Sequence, residues 1–244
     1  MPMRPLPALG LSAALLAAGP ATGPALAATG VTITSYGHSA LLIQGGGASV
    51  LVNPFRAVGC ATGLAEPRVG ATAILASSRL LDEGASGVAS GRFLVDPGSY
   101  RVGGLAIEGI AGSHDRVGGR RFGKATLWRW EQGGLSFAHL GGTAAQLGPA
   151  DKVLLGRPDV LILGVGGGAK VYDGAEAAAI VRELRPRRVI PVQYVSGGAT
   201  PKDCDQGSVQ PFLDAMAGTP VQRRGRTINL PGKLSDGTVI EVMR

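Results

Sequence analysis

The chain has 244 residues, 45% of them hydrophobic, which excludes a disordered polymer and fits one domain or two halves sharing a single core. Its formal charge of +7 and pI near 9.9 raise nucleic acid as a partner. The basic pairs Arg120-Arg121, Arg187-Arg188 and Arg223-Arg224 are scattered, however, and not interleaved with aromatics, so they read as solvated surface.

The first 27 residues read as a targeting segment. Arg4 gives a positive start, Leu9 to Ala18 an apolar run too short to span a membrane, and Ala25-Leu26-Ala27 a small-residue cleavage site before Ala28. Residues 28–244 are then one exported domain without a membrane span, in a periplasm or a thylakoid lumen. Within it, Val31 to Ser35, Leu41 to Gln44 and Ser49 to Asn53 read as strands, with Gly45-Gly46-Gly47 as a hairpin turn. Pro54 ends the third, and an apolar strand at Ala73 to Ala76 follows. Further strands are expected at Arg92 to Val95, Leu105 to Ile110, Thr126 to Glu131, Leu135 to His139, Val160 to Leu163 and Val189 to Val192. A last hairpin is expected from Val221 to Arg224 and Val239 to Val242. Asp173 caps a helix running to Leu184, with Ala177, Ile180, Val181 and Leu184 as its buried stripe. A second helix spans Val209 to Met216, and a short one begins near Thr143. Many strands with intermittent helices suit two stacked sheets with helices outside.

Several segments lie in a telling order: Gly37-His38-Ser39, Val52-Asn53-Pro54-Phe55, Ser77 to Glu83, Ser113-His114-Asp115, His139-Leu140-Gly141-Gly142 and Ile190-Pro191-Val192-Gln193-Tyr194. Together they resemble the metallo-β-lactamase-fold hydrolases, in the branch of small metal-dependent hydrolases. The resemblance implies an α/β fold, an αββα sandwich of two mixed β-sheets flanked by helices. It also implies a two-metal site whose central stretch the family writes T-H-x-H-x-D-H. Residues two apart in an extended loop project to one side, so His-x-His can grip one zinc, and zinc-bound water becomes a nucleophile near neutral pH.

This chain departs from that pattern. Ser78 and Leu80 stand where the two histidines would be, Glu83 replaces the third, Gly142 replaces the bridging aspartate and Gln193 the last histidine. Asn53 replaces the aspartate of the strand-end Asp-Pro. Asp82 and His114 match, and His38 and His139 keep histidines that are not main ligands in the family. A zinc site needs at least three protein ligands. The expectation is therefore a relict pocket bounded by His38, Ser78, Leu80, Asp82, Glu83, His114, His139, Gly142 and Gln193, without a cofactor, that binds a small molecule or a protein. The alternative is a hydrolase rebuilt around one divalent metal ion, with Asp82, Glu83 and His114 as catalytic candidates. Asp82 and Glu83 should face water or pair with a cation, Arg79 being nearest in sequence, while Gln193 joins His114 in a hydrogen-bond network and Leu80 fills volume. Ser77, Ser78 or Ser113 near a His-Asp pair lack the Gly-x-Ser-x-Gly elbow, and Gly166-Gly167-Gly168 lacks the Gly-Lys-Ser/Thr ending of a phosphate loop. Cys60 and Cys204 each lie in a Gly-rich loop at the edge that the resemblance gives the site. The exported compartment favours a disulfide between them over two separate buried thiols.

Overall fold

The computed structural model describes residues 1–3, 29–197 and 200–244. The targeting segment, from Arg4 to its cleavage site, lies outside the described residues. Among the described residues, fourteen strands form two mixed sheets. In the first, β1 (Val31–Gly37), β2 (Ala40–Gly45) and β3 (Ala48–Val52) run antiparallel, and β4 (Gly70–Leu75) and β5 (Ser90–Leu94) add in parallel. In the second, β6 (Gly98–Val102), β7 (Leu105–Ser113), β8 (Lys124–Gln132) and β9 (Leu135–Gly141) are antiparallel. Parallel to β9 run β10 (Val160–Gly164), β11 (Arg188–Val192), β14 (Val239–Val242) and β12 (Val221–Arg223).

Strand alternation divides the apolar residues between two layers. Val160 and Ile162 of β10, Ile190 of β11, Phe137 of β9 and Trp128 and Trp130 of β8 point between the sheets, against Ile33, Ile43, Val50, Val52 and Leu75. Their neighbours Leu161, Leu163, Val189, Ala138, Leu140 and Leu127 face the other way, onto the helices. This double burial is why β10 and β11 are continuous apolar runs in the sequence. The helices α1 (Pro149–Leu155), α2 (Gly174–Leu184) and α3 (Gln210–Ala215) all contribute to that outer layer. Asp173 caps α2 by accepting from the Glu176 amide at 2.8 Å, and the Glu176 carboxylate returns the bond to the Asp173 amide at 2.9 Å.

Two expectations need correction, and one strand comes in addition. Val221–Arg223 and Val239–Val242 are parallel neighbours and not a hairpin. Between them β13 (Thr227–Leu230) leaves for the first sheet and pairs with β1. A strand also forms at β6, which pairs with β7 across the Gly103-Gly104 turn. No helix starts at Thr143, whose Oγ1 donates instead to the Ser113 carbonyl at 2.6 Å. The helix starts at Pro149, whose fixed φ and missing N–H suit a first helical position.

Candidate functional site

Parallel strands deliver their carboxyl ends to a common crevice. Here Asn53 follows β3, Ser77 and Ser78 follow β4, Gly142 follows β9, and Gln193 follows β11. Asn53 sits at φ 42°, and its amide group brackets the start of the central turn. Its Nδ2 donates to Ser77 Oγ at 2.9 Å, and its Oδ1 accepts from the Ser77 amide at 2.8 Å. Ser77 Oγ also accepts from the Gly142 amide at 3.2 Å. Asparagine at 53 thus donates to the Ser77 hydroxyl and accepts from the Ser77 amide with the two ends of one side-chain amide.

Glu83 is the hub. It is fully buried, and its Oε1 accepts from Ser78 Oγ at 2.6 Å and contacts His114 Nε2. Its Oε2 accepts from Gln193 Nε2 at 2.8 Å. Burial by itself raises the pKa of this carboxyl, but the hydrogen bonds and charge of His114, with Ser78, outweigh it and hold Glu83 below the usual carboxylate range. Burial likewise opposes the charged form of His114, and Glu83 overcomes it, leaving the imidazole above its ordinary value. The two therefore stand as a buried ion pair. Gly142 makes room for it, since a Cβ there would overlap the Glu83 carboxylate. The carboxylate of residue 83 thus occupies the space beside position 142.

Asp82 finds its cation elsewhere than expected. Arg79 turns away to Asp96, 3.0 Å distant on the surface. Lys170 instead brings its Nζ to 2.6 Å from Asp82 Oδ2, with both side chains largely buried and the Phe122 ring 5.8 Å from the ammonium. The Gly166–Gly168 turn after β10 carries this lysine in. Sequence reasoning missed it, because the partners lie 88 residues apart. Its one signal was the place of that turn at the end of a parallel strand.

The histidines have separate environments. His38, at φ 48°, accepts from the Gln193 amide (φ 51°) at 2.9 Å through its carbonyl, and its ring meets Phe55 edge-on. Burial lowers its pKa, Asp82 and Glu83 pull it back up, and Lys170 lowers it further; the net shift is downward. His139 is fully buried, neither ring nitrogen has a partner among the described residues, and burial pushes its pKa down to about 3. His114 is held in its loop by Asp115, whose carboxylate accepts the amides of Val117, Gly119, Arg121 and Phe122. Leu80 is only half-buried. It lines a groove of about 320 Å³ with Ser77, Ser78, Arg79, Val95, Pro97, Phe122 and Lys124.

The residues present do not fit the metals that the resemblance implies. Asp82 is neutralised by Lys170, the Glu83 oxygens are committed to Ser78, His114 and Gln193, and His114 Nε2 is turned onto Glu83. Among the described residues no group of three or more His, Cys, Asp or Glu side chains could hold a metal ion. Cys60 and Cys204 form a disulfide with Cα atoms 4.5 Å apart. No helix among the described residues is long and apolar enough to cross a membrane.

Among curated proteins none matches the chain. Solved structures do. A protein of Thermotoga maritima described as a Zn-dependent hydrolase of the metallo-β-lactamase superfamily is 24% identical, with a TM-score of 0.70 over 88% of this chain and 100% of that one. Igni18, a metallo hydrolase of Ignicoccus hospitalis, is 17% identical at a TM-score of 0.59, over 84% and 100%. The metallo-β-lactamase fold protein YhfI of Bacillus subtilis is 12% identical at 0.56, over 86% and 96%. At these identities the likeness speaks for the fold. The chain shares the metallo-β-lactamase sandwich fold with these structures, the model of the β-lactamase superfamily domain matches residues 32–193, the span that carries the site from β1 to Gln193, and the chain belongs to that family.

Proposed function

We propose that this is an exported, metal-independent member of its superfamily that binds a small molecule and does not catalyse hydrolysis. One observation carries the reading. Each carboxylate left at the former metal position has a cation supplied by the chain, Lys170 for Asp82 and His114 for Glu83. The groove beside them has apolar walls at Leu80, Val95, Pro97 and Phe122, and it is lined as well by Lys124 and by Arg79 with its ion-pair partner Asp96, so that Lys124 is the charge left over. That combination favours a small amphipathic anion, its apolar body on Phe122 and its charge near Lys124. The Cys60–Cys204 disulfide supports an oxidising compartment, and the scattered basic pairs speak against nucleic acid. The alternative hydrolase, using one divalent ion on Asp82, Glu83 and His114, draws only on the convergence of those three side chains.

The test is elemental analysis after dialysis of the mature chain against zinc or manganese. It is read with melting temperatures in each metal and in benzoate and hexanoate. The expected outcome is well under one equivalent of metal, no metal-dependent shift, and a rise in melting temperature with the carboxylates. One tightly held zinc or manganese per chain would overturn the reading. N-terminal sequencing of protein recovered from the exported fraction should begin at Ala28.

A further inference from the structure

The turn that carries Lys170 is closed at its base by the Gly167 amide donating to the Tyr172 carbonyl at 2.9 Å and by the Gly166 amide donating to the Gln193 carbonyl at 3.0 Å. Gly167 and Gly168, at φ of 77° and 80°, bring no side chains of their own to anchor the segment that leads to Lys170. It is held from two sides. Arg116 donates to the Gly168 carbonyl at 2.8 Å and to the Val171 carbonyl at 3.1 Å. From the other side, Asp205 Oδ2 accepts from the Ala169 amide at 2.8 Å, and the Gly207 amide donates to the Gly166 carbonyl at 2.7 Å. The Asp205 carboxylate packs directly on the turn, because a Cβ at Gly168 would meet it at 2.5–2.7 Å.

Asp205 directly follows Cys204. Across the disulfide, Cys60 directly follows Gly59, which lies against Asp82, since a Cβ there would be 3.6 Å from Asp82 Oδ2. Each half-cystine is therefore the chain neighbour of a residue near one side of the Asp82–Lys170 pair: Gly59 close to Asp82, and Asp205 bonded to the lysine's turn. The bridge joins two loops separated by 144 residues.

We propose that the Cys60–Cys204 disulfide, acting through Asp205, seats the Lys170 ammonium in the site, so that reduction by a dithiol loosens it from Asp82 and opens the site. The proposal rests on the reading that Lys170 serves as the resident cation. In the reaction the dithiol loses two electrons and two protons and closes to its own disulfide, while Cys60 and Cys204 each gain a hydrogen. Asp205 is a positioning residue: it touches the turn and not the site. Arg116 remains after reduction, so one side of the turn is released and the other stays anchored.

Lysine acylation separates the possibilities. The full chain is treated with acetic anhydride when oxidised, after dithiothreitol, and as Asp205→Ala and Asp205→Asn with the disulfide intact, and modified lysines are quantified by mass spectrometry. Lys152, paired with Glu183 at 2.8 Å on the exposed side of α1, is the internal reference. Near-ultraviolet circular dichroism of the buried Trp128 and Trp130 reports that each sample is folded. The ratio of Lys170 to Lys152 labelling should rise about tenfold on reduction, as local opening of a protected group predicts, and several-fold in Asp205→Ala. Asp205→Asn, which keeps an acceptor for the Ala169 amide, should restore most of the protection. An unchanged ratio in folded reduced chain or in Asp205→Ala overturns the proposal; if reduction unfolds the chain, the Asp205 variants decide alone. Elemental analysis of the same samples keeps the two ideas apart. Bound metal sinks the functional reading, whereas an unmoved ratio in metal-free chain sinks the clamp.

Discussion

Gly142→Ala should be costly out of proportion to one methyl group. The backbone at 142 needs no positive φ, so alanine fits it, and loss of unfolded-state freedom would favour the variant by about 0.4–1 kcal/mol. Against this, the new Cβ overlaps Glu83 Oε2. That carboxylate cannot slide freely, because Ser78, His114 and Gln193 hold both of its oxygens in a fully buried place. Overpacking costs about 1–3 kcal/mol, and disturbing a buried hydrogen bond to a charged group about 1.5–3 more. The net loss is about 1.5–5.5 kcal/mol, or a fall in melting temperature of roughly 3–22 °C for a chain of this size. Urea unfolding of Gly142→Ala, Glu83→Ala and the double variant measures it as a cycle. Glu83→Ala alone strands His114 and should cost about 3 kcal/mol or more. The double variant should be less damaged than the sum by at least about 1.5 kcal/mol, since the methyl then enters vacated space. Additive losses would refute the argument that position 142 is small because residue 83 fills it.

Two further outcomes follow from the same structure. The His139 pKa lies at about 3 against an ordinary 6.5, so the unfolded chain binds a proton that the folded chain refuses, and stability is full above pH 6.5 and falls as the pH drops. Between pH 6.5 and 5 this amounts to about 2 kcal/mol, so His139→Leu should flatten the acid limb of urea midpoints by about that much; an identical slope would count against it. His114 acts in the opposite sense: its raised pKa adds stability below 6.5 that is lost as the pH climbs through its folded value, and comparison at fixed His114 isolates His139. Replacing Cys60 and Cys204 together by serine removes a cross-link spanning 144 residues; the chain-entropy limit is about 5 kcal/mol, a loss of about 2–5 kcal/mol is expected, and an unchanged urea midpoint would refute a bridged native state.

Most of the fold could be read from the chain because its signals are local. The runs at Val160 and Val189 are buried on both faces, and Asp173 with Glu176 three residues later announces α2. What escaped was non-local. Val221–Arg223 and Val239–Val242 look like a hairpin until β13 is seen crossing to the other sheet, a choice made by pairing with β1 some 195 residues earlier, as in Ile33 with Ile228. Within the site, the central turn, His114 and Gln193 do converge on Glu83. The cation did not follow from sequence proximity. Arg79 is three residues from Asp82 but has Asp96 within 3.0 Å on the surface, and a guanidinium keeps its hydration there at little cost. A buried carboxylate gains more from a cation that is itself shielded from water, which Lys170 can be because its turn enters from the end of β10.

The substitutions are therefore not independent losses. Glutamate at 83 with glycine at 142 is one such pair, since any side chain at 142 would stand where the Glu83 carboxylate now lies. Two carboxylates, Asp82 and Glu83, face two chain-borne cations, Lys170 and His114, and the four formal charges sum to zero. A divalent ion entering this cluster would have to expel the Lys170 ammonium and take the proton from His114 before it met a free ligand, and each step works against a buried, hydrogen-bonded pair. Restoring histidines at Ser78, Leu80, Glu83 and Gln193, even with aspartate at Gly142, leaves that ammonium in the site. The lysine has to leave as well, since a tethered cation competes with any metal at a local concentration that dialysis cannot lower.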